Sequence, residues 1–267
     1  MTLTAQSADG TAIVYEKAGT GPALIVIGGA FNTRHSAGDL VSLLATHFSV
    51  YAYDRRGRGD STNTHPFAIE RELEDLAALI DAVGGTAMVY GHSSGGAVGL
   101  HGAASGLPIT KLAIYEPPFT PPLGFESVRA WSDAIQAAVD AGDPARAAVL
   151  FLEGSGAHPG MIDGIKASPW WSGMAAIAHT LPYDLSFLND GTVPVELLRR
   201  VSAPTLVMFG DDSPPWAADV ATTAAAALPS GATVSFAGQD HDVDAAVIAP
   251  HLIDFFKNEG DRPFTLS

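Results

Sequence analysis

The sequence has no cysteine among its 267 residues, which removes disulfides, thiolate metal sites and cysteine nucleophiles. Cations are scarce as well: 14 Lys and Arg stand against 29 Asp and Glu, a formal net charge of -15. Nucleic acid and anionic bilayers are bound by clustered Lys and Arg that release counterions, so neither is an expected partner. Only Arg55, Arg56 and Arg58 cluster, in a Gly-punctuated loop, and a solvated or structural role is expected of them. No apolar run approaches the roughly 18 residues of a membrane span. Met1-Thr2-Leu3-Thr4 lacks the basic region and apolar stretch of a secretory signal. The expectation is a soluble, cytoplasmic protein whose nucleophile, if it has one, is oxygen or nitrogen.

What the chain does have is apolar content, 47% hydrophobic against 16% charged, which suits one compact domain with room for an insertion. There is no internal repeat and no low-complexity tract. Residues 2–6 and 11–17 read as two strands joined at Asp9-Gly10. The continuous apolar run 23–27, ending in Gly28-Gly29, reads as a strand buried on both faces. Strand and helix then alternate: helix 39–46, strand 48–53, helix 67–83, strand 87–90, helix 93–105 and strand 112–115. That alternation predicts an α/β fold with a mostly parallel sheet covered by helices on both sides. From 117 to 202 the text turns rich in Pro, Trp and Ala, with helical stretches at 125–141 and 144–152 and no convincing strand. It is read as a helical cap inserted into a core made of 1–116 and 203–267. The rhythm resumes with strand 205–209, helix 216–228, strand 233–236 and helix 245–256.

The chemistry is densest at Gly91-His92-Ser93-Ser94-Gly95-Gly96, a G-x-S-x-G motif between a predicted strand and a predicted helix. A turn this sharp strains the nucleophile's backbone, and the residues two before and two after it must be small enough for strand and helix to meet. Gly91 and Gly95 satisfy this for Ser93; centring on Ser94 would put His92 at a position that needs a small residue. The N–H of Ser94 then lies at a helix N-terminus, where partial positive charge favours a developing oxyanion. A phosphate-binding loop is excluded, because Lys is absent and the glycines do not fit G-x-G-x-x-G.

With the elbow in place, the chain from Leu3 to Phe256 resembles the α/β-hydrolase superfamily, which implies an eight-stranded sheet. Tyr53-Asp54-Arg55-Arg56-Gly57-Arg58-Gly59-Asp60-Ser61 resembles the loop after that superfamily's fourth strand. Gly28-Gly29-Ala30-Phe31 stands where the superfamily often has His-Gly and supplies its second oxyanion N–H, so the resemblance implies Ala30 or Gly29 as donor. His241, in Gly238-Gln239-Asp240-His241-Asp242-Val243 after the last predicted strand, matches the position of the family's general base. His92 is read as packing, since strand alternation turns it away from the nucleophile's pocket.

The acid is open between two places. Most of the superfamily carries Asp three residues after the Gly that ends the seventh strand, and here that position is Ser213. Some members, zearalenone lactonases among them, carry a Glu at the end of the sixth strand, where this chain has Tyr115-Glu116-Pro117-Pro118. Glu116 is the first candidate, Asp212 or Asp211 the second.

These residues imply cofactor-free, metal-free acyl transfer on a small, largely apolar ester or lactone. The cap supplies Phe119, Phe125, Trp131, Trp170, Trp171 and Met174, with Trp216 beyond it. Phe31, Trp170, Trp171 and Trp216 are the pocket candidates, with the cap's own core as the competing reading of each aromatic. The expected partner is a small-molecule substrate, and a homodimer is left open. Carbon–carbon bond hydrolases and cofactor-free perhydrolases share the same geometry, and a ligand-binding protein without turnover is the reading from a different class.

Overall fold

A computed structural model describes residues 1–119 and 126–258. Eight strands form one sheet: β1 (Thr2–Gln6), β2 (Ala12–Ala18), β3 (Ala23–Ile27), β4 (Ser49–Tyr53), β5 (Ala87–His92), β6 (Ile109–Tyr115), β7 (Thr205–Gly210) and β8 (Gly231–Phe236). Their order is β1-β2-β4-β3-β5-β6-β7-β8. β1 and β2 pair antiparallel, as do β2 and β4, and every pairing from β4 onward is parallel.

The two-face burial expected of the apolar runs is realised by alternation along each strand. Ile25, Ile27, Val89, Leu112, Ile114 and Val207 face one cluster. Leu24, Val26, Met88, Tyr90, Ala113, Leu206 and Met208 face the other. Helices α1 (Gly38–Leu44) and α11 (Ala245–Lys257) cover the second face. Helices α2 (Ile69–Ala82), α3 (Ser94–Ala104) and α10 (Trp216–Ala227) cover the first. Each fully buried Leu, Ile or Val contributes about 1.5–3 kcal/mol relative to an exposed one. That alternation rather than any single contact holds the layers together.

Between β6 and β7 the described chain is helical. It comprises α4 (Val128–Asp140), α5 (Pro144–Gly154), α6 (Pro159–Ala167), α7 (Trp171–Ile177), a 3-10 turn at Ala178–Thr180, α8 (Leu181–Ser186) and α9 (Val195–Leu198). Ser127 caps α4 and Asp143 caps α5, each side chain accepting the N–H three residues on. The helices have a core of their own around Trp131, Ile135, Leu150, Leu181 and Leu185, and Ala30 and Phe31 of the sheet domain pack against it. Among the described residues no helix is long and apolar enough to cross a membrane.

Candidate active site

β5 ends at His92 and α3 begins at Ser94, so Ser93 alone makes the turn, with φ 53 and ψ -124. The glycines around it are a steric necessity. A Cβ on Gly91 would lie 2.5 Å from the Gly95 carbonyl oxygen, and one on Gly95 would lie 2.3 Å from that of Ile27. The Ser93 N–H donates to the Tyr115 carbonyl at 2.8 Å, which ties the elbow to β6. In this conformation the Ser93 hydroxyl makes no hydrogen bond to a described residue; such contacts are often loose until substrate binds. Among the described residues, the non-glycine positions with positive φ are Phe31, Ser93, Glu116 and Asn189. Three of the four belong to this site, where strained backbone tends to collect.

Glu116 follows β6 directly and is buried. Its Oε2 receives His241 Nδ1 at 2.7 Å. Its Oε1 receives the Gly210 N–H at 2.9 Å and the Ser213 hydroxyl at 2.5 Å. Burial opposes ionisation, but hydrogen bonds from His241, Gly210 and Ser213 outweigh it and hold the carboxyl below its ordinary value. With Nδ1 donating to Glu116, Nε2 of His241 is the nitrogen left to accept a proton. The imidazole is 46% exposed and the carboxylate beneath it 1%.

The backbone on either side of the His241 ring is pinned twice. The Tyr115 hydroxyl donates to the Asp240 carbonyl at 2.6 Å, and His92 Nε2–H donates to the His241 carbonyl at 2.9 Å. His92 stacks on Tyr115 and lies 4.8 Å, centroid to centroid, from His241. Burial, then the neighbouring His241, pushes the His92 imidazole down to about 4, so it stays neutral as a donor. It packs, as expected, and it also anchors the loop. Asp211 and Asp212 are exposed. Their backbone N–H groups bond to Phe236 and Gln239, and among the described residues neither side chain reaches His241.

The loop after β3 lies against the elbow, and a Cβ on Gly29 would meet Ser93 Cβ at 2.9 Å. The Gly29 N–H is spent on Asn32 Oδ1 at 2.9 Å. Neither the Ala30 nor the Ser94 N–H has an acceptor among the described residues. Two donors are therefore free beside Ser93, and of the pair Ala30 and Gly29 it is Ala30 that remains available.

The pocket candidates divide. Phe31 meets Phe151 of α5 edge-on at 5.3 Å, where the loop after β3 meets the helices, and Trp171 is half-buried against the same helical core. Trp170 is 74% exposed, and Trp216 is partly buried against the sheet-domain cluster. Phe119 is buried in that cluster too, and Trp131 lies in the core of the helices between β6 and β7, its indole N–H donating to the Leu150 carbonyl. Met174 is half-buried on α7. Phe125 lies outside the described residues.

The arginine cluster turns out to be structural and almost wholly buried. Arg56 forms a two-point pair with Asp75. Arg55 does the same with Glu72 and also reaches Asp184 at 2.7 Å. Arg58 reaches Asp184 at 2.7 Å and the Gly29 carbonyl at 2.6 Å. Sequence reasoning singled out neither Asp184 nor the roles of Tyr115 and Ser213. Their partners lie about a hundred residues away along the chain, so spacing carried no signal for them.

A strained serine at a strand-helix turn and an imidazole on a buried carboxylate at the same sheet end belong to a well-populated class of enzymes. Residues 23–252 match the model of the alpha/beta hydrolase family, and the chain belongs to that family. Among solved structures it is similar to an alpha/beta hydrolase from Sphaerobacter thermophilus, with 44% identity, 96% of this chain and 100% of that one covered, and a TM-score of 0.89. Among characterised proteins it is 28% identical over 228 residues to a non-heme haloperoxidase of Rhodococcus erythropolis, covering 77% of this chain and 80% of that one. A shorter match, 38% over 100 residues, is to lipase LipV of Mycobacterium tuberculosis and covers 37% of this chain and 38% of that one.

Proposed function

We propose that this protein is a serine hydrolase that cleaves a small, largely apolar carboxylic ester or lactone through an acyl-enzyme on Ser93. The observation that carries the reading is the 2.7 Å pair of His241 and buried Glu116 at the sheet end where the Ser93 elbow emerges. In this reading His241 Nε2 takes the Ser93 proton as Oγ attacks the carbonyl carbon. Glu116 holds the ring in the Nδ1–H tautomer and stabilises the imidazolium without itself taking the proton. The N–H groups of Ala30 and Ser94 receive the oxyanion, the leaving oxygen takes the proton back from His241, and water then attacks the acyl-enzyme by the same route. The apolar preference rests on Phe31 beside Ala30, on its ring contact with Phe151, and on the helical core that these residues and Trp171 pack against.

A second reading is perhydrolysis, favoured by the similarity to a non-heme haloperoxidase. In it the acyl-enzyme is attacked by hydrogen peroxide instead of water and releases a peracid. The test is labelling by a fluorophosphonate probe together with p-nitrophenyl ester turnover, with and without peroxide, for wild type and Ser93→Ala. The expected result is labelling and turnover in wild type, with loss of about 10⁴-fold or more in the variant. No labelling and no Ser93-dependent turnover would favour a ligand-binding protein instead. Faster ester loss with peroxide, accompanied by halide oxidation, would favour the second reading.

A further inference from the structure

We propose that Arg58, held by Asp184 of the helical insertion, is a positioning residue that orients the Gly29–Ala30 peptide to receive the oxyanion. The inference rests on the hydrolase reading above and names residues it does not use. A peptide unit is planar and trans, so its C=O and N–H point in opposite directions. Arg58 Nη1 donates to the Gly29 carbonyl at 2.6 Å from a buried guanidinium. The N–H on the other side of that same plane belongs to Ala30, the donor left without a partner. Fixing the carbonyl fixes the N–H, and a cation on the oxygen also polarises the amide into a better donor.

Arg58 is in turn held from the insertion: Nη2 donates to Asp184 Oδ2 at 2.7 Å and Nε to the Thr180 hydroxyl at 3.1 Å. The other oxygen of Asp184 accepts from the Ser94 hydroxyl at 2.6 Å and from Arg55 Nη1 at 2.7 Å. One carboxylate on α8 is thus bonded to the residue bearing one oxyanion donor and, through Arg58, to the peptide bearing the other. Burying four charges, Arg55, Arg58, Glu72 and Asp184, costs desolvation that an apolar contact between insertion and sheet would not. What the charged version adds is direction. The hole is competent only when the insertion sits in this register on the sheet domain.

Arg58→Met removes the charged donor, leaving the Gly29 carbonyl with the longer Asn32 N–H bond of 3.3 Å and Asp184 with Ser94 and Arg55. The expected result is a fall in kcat for a p-nitrophenyl ester of about 10- to 100-fold, KM within about threefold, and a comparable loss of affinity for an aryl trifluoromethyl ketone, whose serine adduct carries an oxyanion. Arg58→Lys, which keeps a cationic donor, is expected to recover part of both losses. A folded Arg58→Met protein with unchanged kcat and inhibitor affinity, or with its loss confined to KM, overturns the proposal. If Arg58→Met does not fold, Asp184→Asn is read the same way, and unchanged kcat there overturns it equally. Active wild type with an indifferent Arg58→Met defeats this proposal alone. Wild type without Ser93-dependent turnover defeats the hydrolase reading and this proposal with it.

Discussion

Ser213 and Glu116 share a hydrogen bond of 2.5 Å, the serine hydroxyl donating to Oε1 while Oε2 holds His241. Ser213 occupies the position where most of the superfamily is expected to carry the acid. The serine cannot stabilise an imidazolium, but it can support a carboxylate delivered from the adjacent strand, and with the Gly210 N–H it occupies the oxygen that His241 leaves. In the proposed mechanism the acid therefore moves from the end of β7 to the end of β6, and the old position becomes a supporting donor.

That relocation predicts an asymmetry between carboxylates. Glu116→Gln should lower kcat on a p-nitrophenyl ester by about 10⁴-fold, because the amide imposes the wrong imidazole tautomer. Asp212→Asn should leave it within about twofold. Ser213→Ala should cost about 1.5 kcal/mol, roughly tenfold, through the loss of one hydrogen bond to a charged group. Steady-state kinetics on the three purified variants measures all of this, and a larger loss in Asp212→Asn than in Glu116→Gln would return the acid to β7.

Tyr115 holds the loop that carries His241. Its hydroxyl donates to the Asp240 carbonyl at 2.6 Å, one residue before His241. Tyr115→Phe keeps the buried ring and its stacking on His92 while freeing that carbonyl. The expected outcome is a fall in kcat of about five- to tenfold with KM little changed, since the loop that aims the imidazole loses one of its anchors. Equal kcat in variant and wild type would mean that the remaining contacts, those of His92 and Asp212, suffice to hold the loop.

Much of this was legible in the sequence because local rules agree with the fold. Apolar runs such as 23–27 are buried on both faces, and Gly91 and Gly95 are where a strand-helix turn needs them. β1, β2 and α10 fall within a residue or two of expectation. Boundaries shifted where hydrogen bonding outran the apolar pattern: β6 begins at Ile109 rather than 112, and β8 at Gly231 rather than 233. The helices α6 to α9 went unassigned because they are short and their apolar residues follow no long period. The aromatic candidates were harder. Composition brought Trp170 and Trp216 to notice, but only packing separates an exposed tryptophan from a core one. The arginines were legible only in part, as solvated or structural. Three cations in a Gly-rich loop look solvated until Glu72, Asp75 and Asp184 arrive from other elements to pair with them.

Acid sensitivity follows from two imidazoles. Burial first, and then the charge of His241 for His92 or of Arg200 for His101, pushes both down to about 4 from the ordinary 6.5. In the unfolded chain each protonates near 6.5, so between those values the unfolded state binds more protons and stability rises with pH. The stability contributed by each group is fully present above about pH 6.5 and is lost as pH falls toward about 4, at up to about 1.4 kcal/mol per pH unit for each group. Glu116 and Asp184, both held below their ordinary values, extend the loss at lower pH, as each is protonated in turn. Urea unfolding at a series of pH values should therefore show stability falling across this window, with a shallower slope for His101→Gln, which removes one titrating group away from the active site. Parallel slopes for the variant and wild type would show that His101 ionises alike in the folded and unfolded chains.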